Sequence, residues 1–215
     1  MSPTRAADVA AAEVELARRD PVLAELIVRT GPCTLRTRRR VGSNGHFEDL
    51  ARSIVYQQLA GRAAASIWGR VRALVVGEFA PEAVLTLDEV TVRSAGLSTA
   101  KARSITDLAD RVAAGDVRLA RIARLGDDEI VAELTRVRGI GRWTAEMFLM
   151  FQLGRLDVWP TGDFGVRKGY ARAWGHPDLP DPKALEVLGE PFRPFRSVAA
   201  WYCWRAIDTV TPETT

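Results

Sequence analysis

The chain is poor in the side chains that most often build metal and redox centres. It has two histidines in 215 residues, His46 and His176, too few for a His-rich metal site or a convincing Ser-His-Asp triad. Its two cysteines, Cys33 and Cys203, are far apart and form no CxxC pair. A structural zinc, an Fe–S cluster and a disulfide framework are therefore not expected, which fits a reducing compartment. No run of about 18 apolar residues occurs, so no membrane span is expected. The opening MSPTRAADVA has no apolar h-region, so no secretory signal is expected either. Alternating strand patterning is also missing, with Leu35 to Val41 the single weak β candidate. Together these absences predict a soluble, cytoplasmic, all-α protein that needs no cofactor for chemistry.

What the chain does have is arginine. Of its 30 basic residues 27 are Arg; Lys101, Lys168 and Lys183 are the lysines, and the net charge is +3. The guanidinium fork suits phosphate, although an Arg-rich genome gives the same bias and the runs Arg18-Arg19 and Arg36 to Arg40 read as solvated faces. With 47% hydrophobic residues the chain can fill one sizeable core or two lobes. Helical stripes and breakers predict about ten helices. The first covers 4–29 with a break at Asp20-Pro21, and a basic, Gly/Ser/Asn-rich loop follows over 33–45. Further helices are expected from Phe47 to Leu59 and from Arg62 to Val76. Thr86, Ser98 and Asp127 are expected to cap others. A helix from Arg142 to about Leu153, one opening at Asp163, one at Asp181 or Pro182, and one over 193–208 complete the series.

The most informative stretch is VRGIGRWTAEMFLMFQLGRLDVWPTGD, residues 137–163. Gly139-Ile140-Gly141 joins two predicted helices. The amides at the start of the second helix, with its dipole, favour an anion, and glycine lets a phosphate approach closely. Ile140 is expected to plug the space between the helices. Just over twenty residues later Asp163 stands alone after Trp159-Pro160-Thr161-Gly162. A carboxylate about 4 Å from a developing positive charge gains roughly 4 kcal/mol at an effective dielectric of about 20, on the order of a thousandfold in rate. It can also orient or deprotonate an attacking water.

The string VRGIGRWTA resembles the helix–hairpin–helix of DNA glycosylases, in which L-P-G-[IV]-G-x-x-T-A is usual; Val137-Arg138 is a mild departure. FEDLARSIVYQQLAGRAAASIW (47–68), GLSTAKARSITDLA (96–109) and RPFRSVAAWYCWR (from Arg193) are similar to the compact 3-methyladenine DNA glycosylase II type of that superfamily. The resemblance covers roughly residues 46–208. It implies a two-lobed all-α fold without an N-terminal β-domain. One lobe would be 46–160, with the hairpin near 128–153, and the other 1–45 plus 161–215, with the site at the cleft between them. It makes Asp163 the catalytic carboxylate. Trp143, Met147, Phe164, Trp204 and Tyr56 would form the base pocket, with Met147 where one well-known member has Tyr. The expected DNA contacts are Gln58, Ser98, Lys101, Arg138, Gly139, Ile140, Gly141, Arg142 and Thr144, with Leu59 filling the gap left by a flipped nucleotide. Backbone carbonyls of Thr135, Val137 and Ile140 would hold a structural Na+ or K+. Members that also cut the strand carry Lys two residues after the second hairpin glycine; Trp143 occupies that slot here, which implies hydrolysis of the base alone.

Electron-rich indoles suit a cationic base. The expectation is therefore a monofunctional glycosylase for alkylated purines such as 3-methyladenine or 7-methylguanine. It would act as a monomer on double-stranded DNA, cytoplasmic and nucleoid-associated. Two alternatives stay open from sequence: the same fold acting on deaminated or oxidised bases, and a hairpin module that binds DNA without chemistry.

Overall fold

The computed structural model describes residues 5–35 and 42–207. Regular structure among these is helical throughout; the weak β candidate lies, except for Leu35, outside the described residues. The chain divides into two units, one containing 5–35 and 146–207, the other 42–145. Residues 146–160, expected in the central lobe, group with the terminal segments. The cause is visible in the loop before Asp163. Ser197 Oγ donates to Arg155 O at 2.7 Å and accepts from Val158 N at 2.9 Å. Trp159 Nε1 donates to Leu185 O at 2.8 Å.

In the terminal unit, α1 (Arg5–Arg19) and α2 (Pro21–Thr30) meet at the predicted break. Asp20 caps α2 by accepting from Leu23 N at 2.9 Å, and Pro21 takes the first helical position, where no amide partner is needed. In the middle unit, α3 (Ser43–Tyr56) turns Phe47, Leu50, Ala51, Ile54 and Val55 inward. It packs on α4 (Gly61–Ala73) and, further along the chain, on α7 (Thr99–Ala113). α5 (Pro81–Leu85) and α6 (Glu89–Ser94) lie against α7, which buries Ala102, Ile105, Leu108 and Ala109 at helical spacing. α8 (Asp127–Leu134) and the first turn of α9 (Arg142–Met147) close this unit.

Three helix starts differ from the sequence reading. α3 begins at Ser43 with Gly42 at the cap, ahead of the expected Phe47, and His46 is a buried residue of its first turn. Thr86 does not cap α6: its hydroxyl donates to Ala83 O at the end of α5, and Asp88 caps α6 instead. α8 starts one residue early, at Asp127 after Gly126, because the Glu129 carboxylate satisfies the Gly126 amide at 2.8 Å. Short polar side chains cluster before each start, so the pattern fixes the helix more firmly than its cap.

α9 runs into a π-helical turn over Phe148–Gln152. α10 (Phe164–Ala173), α11 (Pro182–Leu188) and α12 (Arg196–Ala206) complete the terminal unit. α12 is buried from Arg196 through Trp204, an almost wholly interior helix, and packs on α10, α2 and α1. The α10 and α12 backbones touch at Gly169. A Cβ there would sit 1.8 Å from Cys203 O, so no larger residue fits without moving a helix.

Candidate active site and nucleic-acid interface

In the terminal unit, Asp163 is the N-cap of α10. Its Oδ1 accepts from Val166 N at 2.7 Å and from Trp204 Nε1 at 2.9 Å. The cap places the carboxylate at the positive end of the helix dipole. The indole that holds it is only 1% exposed and is stacked on Phe151, centroids 6.0 Å apart. The loop that delivers Asp163 is fixed by the first turn of α12. Besides the Ser197 bonds, Arg196 Nε donates to Asp157 Oδ1 at 2.7 Å and Nη2 to Asp157 O at 2.9 Å. Thus Arg196 and Ser197 of the R-P-x-R-S string aim the carboxylate indirectly. Phe164, next along, is 63% exposed.

In the middle unit the hairpin has the predicted form. Ile140 is buried, its amide donating to Val137 O at 3.1 Å, while Arg138, Gly139, Gly141 and Arg142 are exposed. Gly139 adopts φ +78° and lies so close to α7 that a Cβ would come within 2.5 Å of Ser104 Oγ. At Gly141 a Cβ would meet nothing within 4 Å, so this glycine leaves open room at the start of α9. The two glycines therefore differ: a side chain at Gly139 would collide with α7, and one at Gly141 would stand in open space. Asp107 of α7 accepts from Arg138 N at 2.7 Å and from Arg111 Nε at 2.9 Å, which ties the hairpin down. Desolvation opposes ionisation of Asp107, but these donors outweigh it and hold its carboxyl below the usual range.

The segment after α3 forms a tight turn. Gln57 has φ −52°, ψ 129°, Gln58 has φ +58°, and Leu59 N donates to Tyr56 O at 3.3 Å. These are the marks of a type II turn. Gln58 is exposed and Leu59, at the turn's end, is 38% exposed, so Leu59 is not a core residue. Tyr56 lies under Arg52, whose guanidinium carbon is 4.7 Å from the ring centroid.

Several residues expected at the DNA or the base have partners within the fold. Lys101 Nζ donates to Val55 O at 2.7 Å and Gln57 O at 2.6 Å, so it caps α3, and desolvation lowers its pKa. Thr144 is buried, with Gln57 Nε2 at 3.5 Å from its hydroxyl. Ser98 is exposed but caps α7, accepting from Lys101 N at 3.3 Å. Trp204 is a buried donor to Asp163 rather than an open stacking face, and Met147 is buried, whereas Trp143 is 42% exposed. Two further residues matter here that no sequence motif singles out. Gln57 donates to Gly139 O at 2.8 Å, joining turn to hairpin. Gly165 sits where a Cβ would be 2.7 Å from Trp204 Cδ1 and 3.0 Å from Asp163 Oδ1. A glycine in the first turn of a helix, where it costs stability, was the available signal.

A family model described as HhH-GPD superfamily base excision DNA repair protein matches residues 51–194. The chain is 34% identical over 197 residues to DNA-3-methyladenine glycosylase 1 of Schizosaccharomyces pombe, covering 90% of this chain and 86% of that protein. The solved structure of the S. pombe 3-methyladenine DNA glycosylase Mag1 with abasic DNA matches at TM-score 0.77 and 33% identity, covering 90% and 95%. A DNA-3-methyladenine glycosidase from Bacillus halodurans matches at TM-score 0.80 and 35% identity, covering 90% and 88%.

Proposed function

This chain belongs to the HhH-GPD superfamily of base excision DNA repair proteins, and from that premise we propose that it is a monofunctional glycosylase for alkylated, cationic purines. The observation that carries the chemistry is the fixed carboxylate. Asp163 is held by a helix amide and a buried indole, on a loop pinned by Arg196 and Ser197. Duplex DNA is positioned by the hairpin at Gly139–Gly141 and read without sequence preference. Leu59 enters the stack as the damaged nucleotide turns out, offsetting part of an unstacking cost of a few kcal/mol. The exposed indole of Trp143 attracts a cationic base.

The glycosidic C–N bond then breaks with its electron pair going to the base, which leaves neutral. The sugar carbon becomes positive beside Asp163, water adds its oxygen there, and the water's proton leaves through the carboxylate or solvent. No amine stands at the Trp143 slot to form a Schiff base, so the strand stays intact.

The donor set at the hairpin, neutral carbonyls of Thr135, Val137 and Ile140, suits a monovalent cation. Val137 O already accepts from Ile140 N but retains a second lone pair. Such an ion would add positive charge near the phosphate. The protein acts as a monomer in the cytoplasm, at the nucleoid; no helix among the described residues is long and apolar enough to cross a membrane.

The test is chromatographic release of 3-methyladenine and 7-methylguanine from methylated duplex DNA. Asp163→Asn is expected to lose on the order of a thousandfold in rate. Undiminished release by the variant overturns the assignment of Asp163. Preferred release of deaminated or oxidised bases overturns the substrate class, and strand cleavage with borohydride-trappable protein overturns simple hydrolysis.

A further inference from the structure

The turn that presents Leu59 is held in an unfavourable form. A type II turn has φ near +80° at its third residue and normally places Gly or Asn there. Here that residue is Gln58, at φ +58°. For an ordinary side chain the left-handed region is costly. The alternative is a type I turn, reached by flipping the peptide plane between Gln57 and Gln58, which returns Gln58 to negative φ. The flip reverses the direction of one group above all, the Gln57 carbonyl. That oxygen accepts from Lys101 Nζ at 2.6 Å, and the same ammonium is anchored by a second bond, to Val55 O at 2.7 Å. Gln57 is held from its other end as well, its side-chain amide donating to Gly139 O of the hairpin at 2.8 Å.

We propose that Lys101 is a positioning residue for nucleotide flipping: its bond to the Gln57 carbonyl selects the type II form of the 56–59 turn and so sets the direction of Leu59. Its two carbonyl bonds account for the ammonium's donors better than a phosphate contact does. The proposal rests on the glycosylase reading for its consequence in base release, but the turn geometry can be tested without catalysis.

The experiment uses the full chain and a duplex with a tetrahydrofuran abasic site beside 2-aminopurine, whose fluorescence rises on unstacking. Lys101→Met is expected to lose most of the fluorescence gain and to slow single-turnover base release roughly tenfold, the scale of one left-handed residue. Its affinity for undamaged duplex keeps the wild-type salt slope. Adding Gln58→Gly to Lys101→Met restores both signals to the level of Gln58→Gly alone, since glycine takes positive φ without penalty. Gln58→Val keeps the lysine but penalises positive φ, and is expected to show the same fluorescence loss, so the proposal can be refuted even if Lys101→Met does not fold.

A salt slope lowered by about 0.9 in Lys101→Met marks a phosphate contact and overturns the proposal. A wild-type fluorescence gain in Lys101→Met or Gln58→Val, or no recovery with Gln58→Gly, overturns it too. Failure of the wild type to release base from methylated DNA sinks the proposed function, while the abasic-site fluorescence still decides the role of Lys101.

Discussion

Replacing Gly165 with alanine separates catalysis from folding. Gly165 lies in the first turn of α10, without positive φ, so alanine there improves intrinsic helix propensity by about 1 kcal/mol. Its methyl group, however, would come 2.7 Å from Trp204 Cδ1, 3.0 Å from Trp204 Nε1 and 3.0 Å from Asp163 Oδ1. The ring cannot retreat easily, because it is buried and stacked on Phe151. Overpacking of this kind costs about 1–3 kcal/mol, so the net change in stability is a loss of roughly 0–2 kcal/mol. The methyl group drives apart the Nε1–Oδ1 bond that aims the carboxylate. A hydrogen bond to a charged group is worth about 1.5–3 kcal/mol, so a bond needed in the transition state translates into roughly a 10- to 150-fold loss in single-turnover base release. Urea melts and quenched-flow release measure the two quantities independently. Release at the wild-type rate would refute the reasoning that a methyl group at this position disturbs a contact the reaction needs.

The hairpin glycines give a paired test. Gly139→Ala meets positive φ and Ser104 together and is expected to lose about 1–3 kcal/mol of stability in urea melts. Gly141→Ala has open space and is expected to melt normally, yet, on the proposed reading, to bind duplex DNA several-fold more weakly because the added methyl keeps a phosphate away; unchanged affinity would remove the phosphate from that position. Burial pushes the His46 imidazole below its ordinary value of 6.5. Its neutral form is favoured when folded, so the stability it contributes is full above that value and declines as pH falls through it, when the unfolded chain takes up a proton first. His46→Gln is expected to flatten the stability profile between about pH 6.5 and 5; an unaltered slope would assign that dependence to other groups.

Much of the fold was legible because it is written locally. Breaks at Asp20-Pro21 and Gly139–Gly141 and the apolar stripe of α3 follow from spacing that any neighbouring helix would accept. Caps at Asp20, Ser98, Asp163 and Asp181 also need no distant partner. Helix starts were missed where several short polar residues compete, as at Thr86 and Asp88.

Sequence by itself determined the all-α class, the hairpin with Ile140 inside it, and a lone carboxylate at a helix start, since each depends on neighbours within a few residues. Tertiary structure alone decided what those residues touch. Trp204 is 41 residues from Asp163, Lys101 is 44 from Gln57 and Gln57 is 82 from Gly139, yet each pair forms a hydrogen bond. Contacts at such separation depend on how helices pack, and packing assigned Trp204 and Lys101 to holding Asp163 and the turn before Leu59.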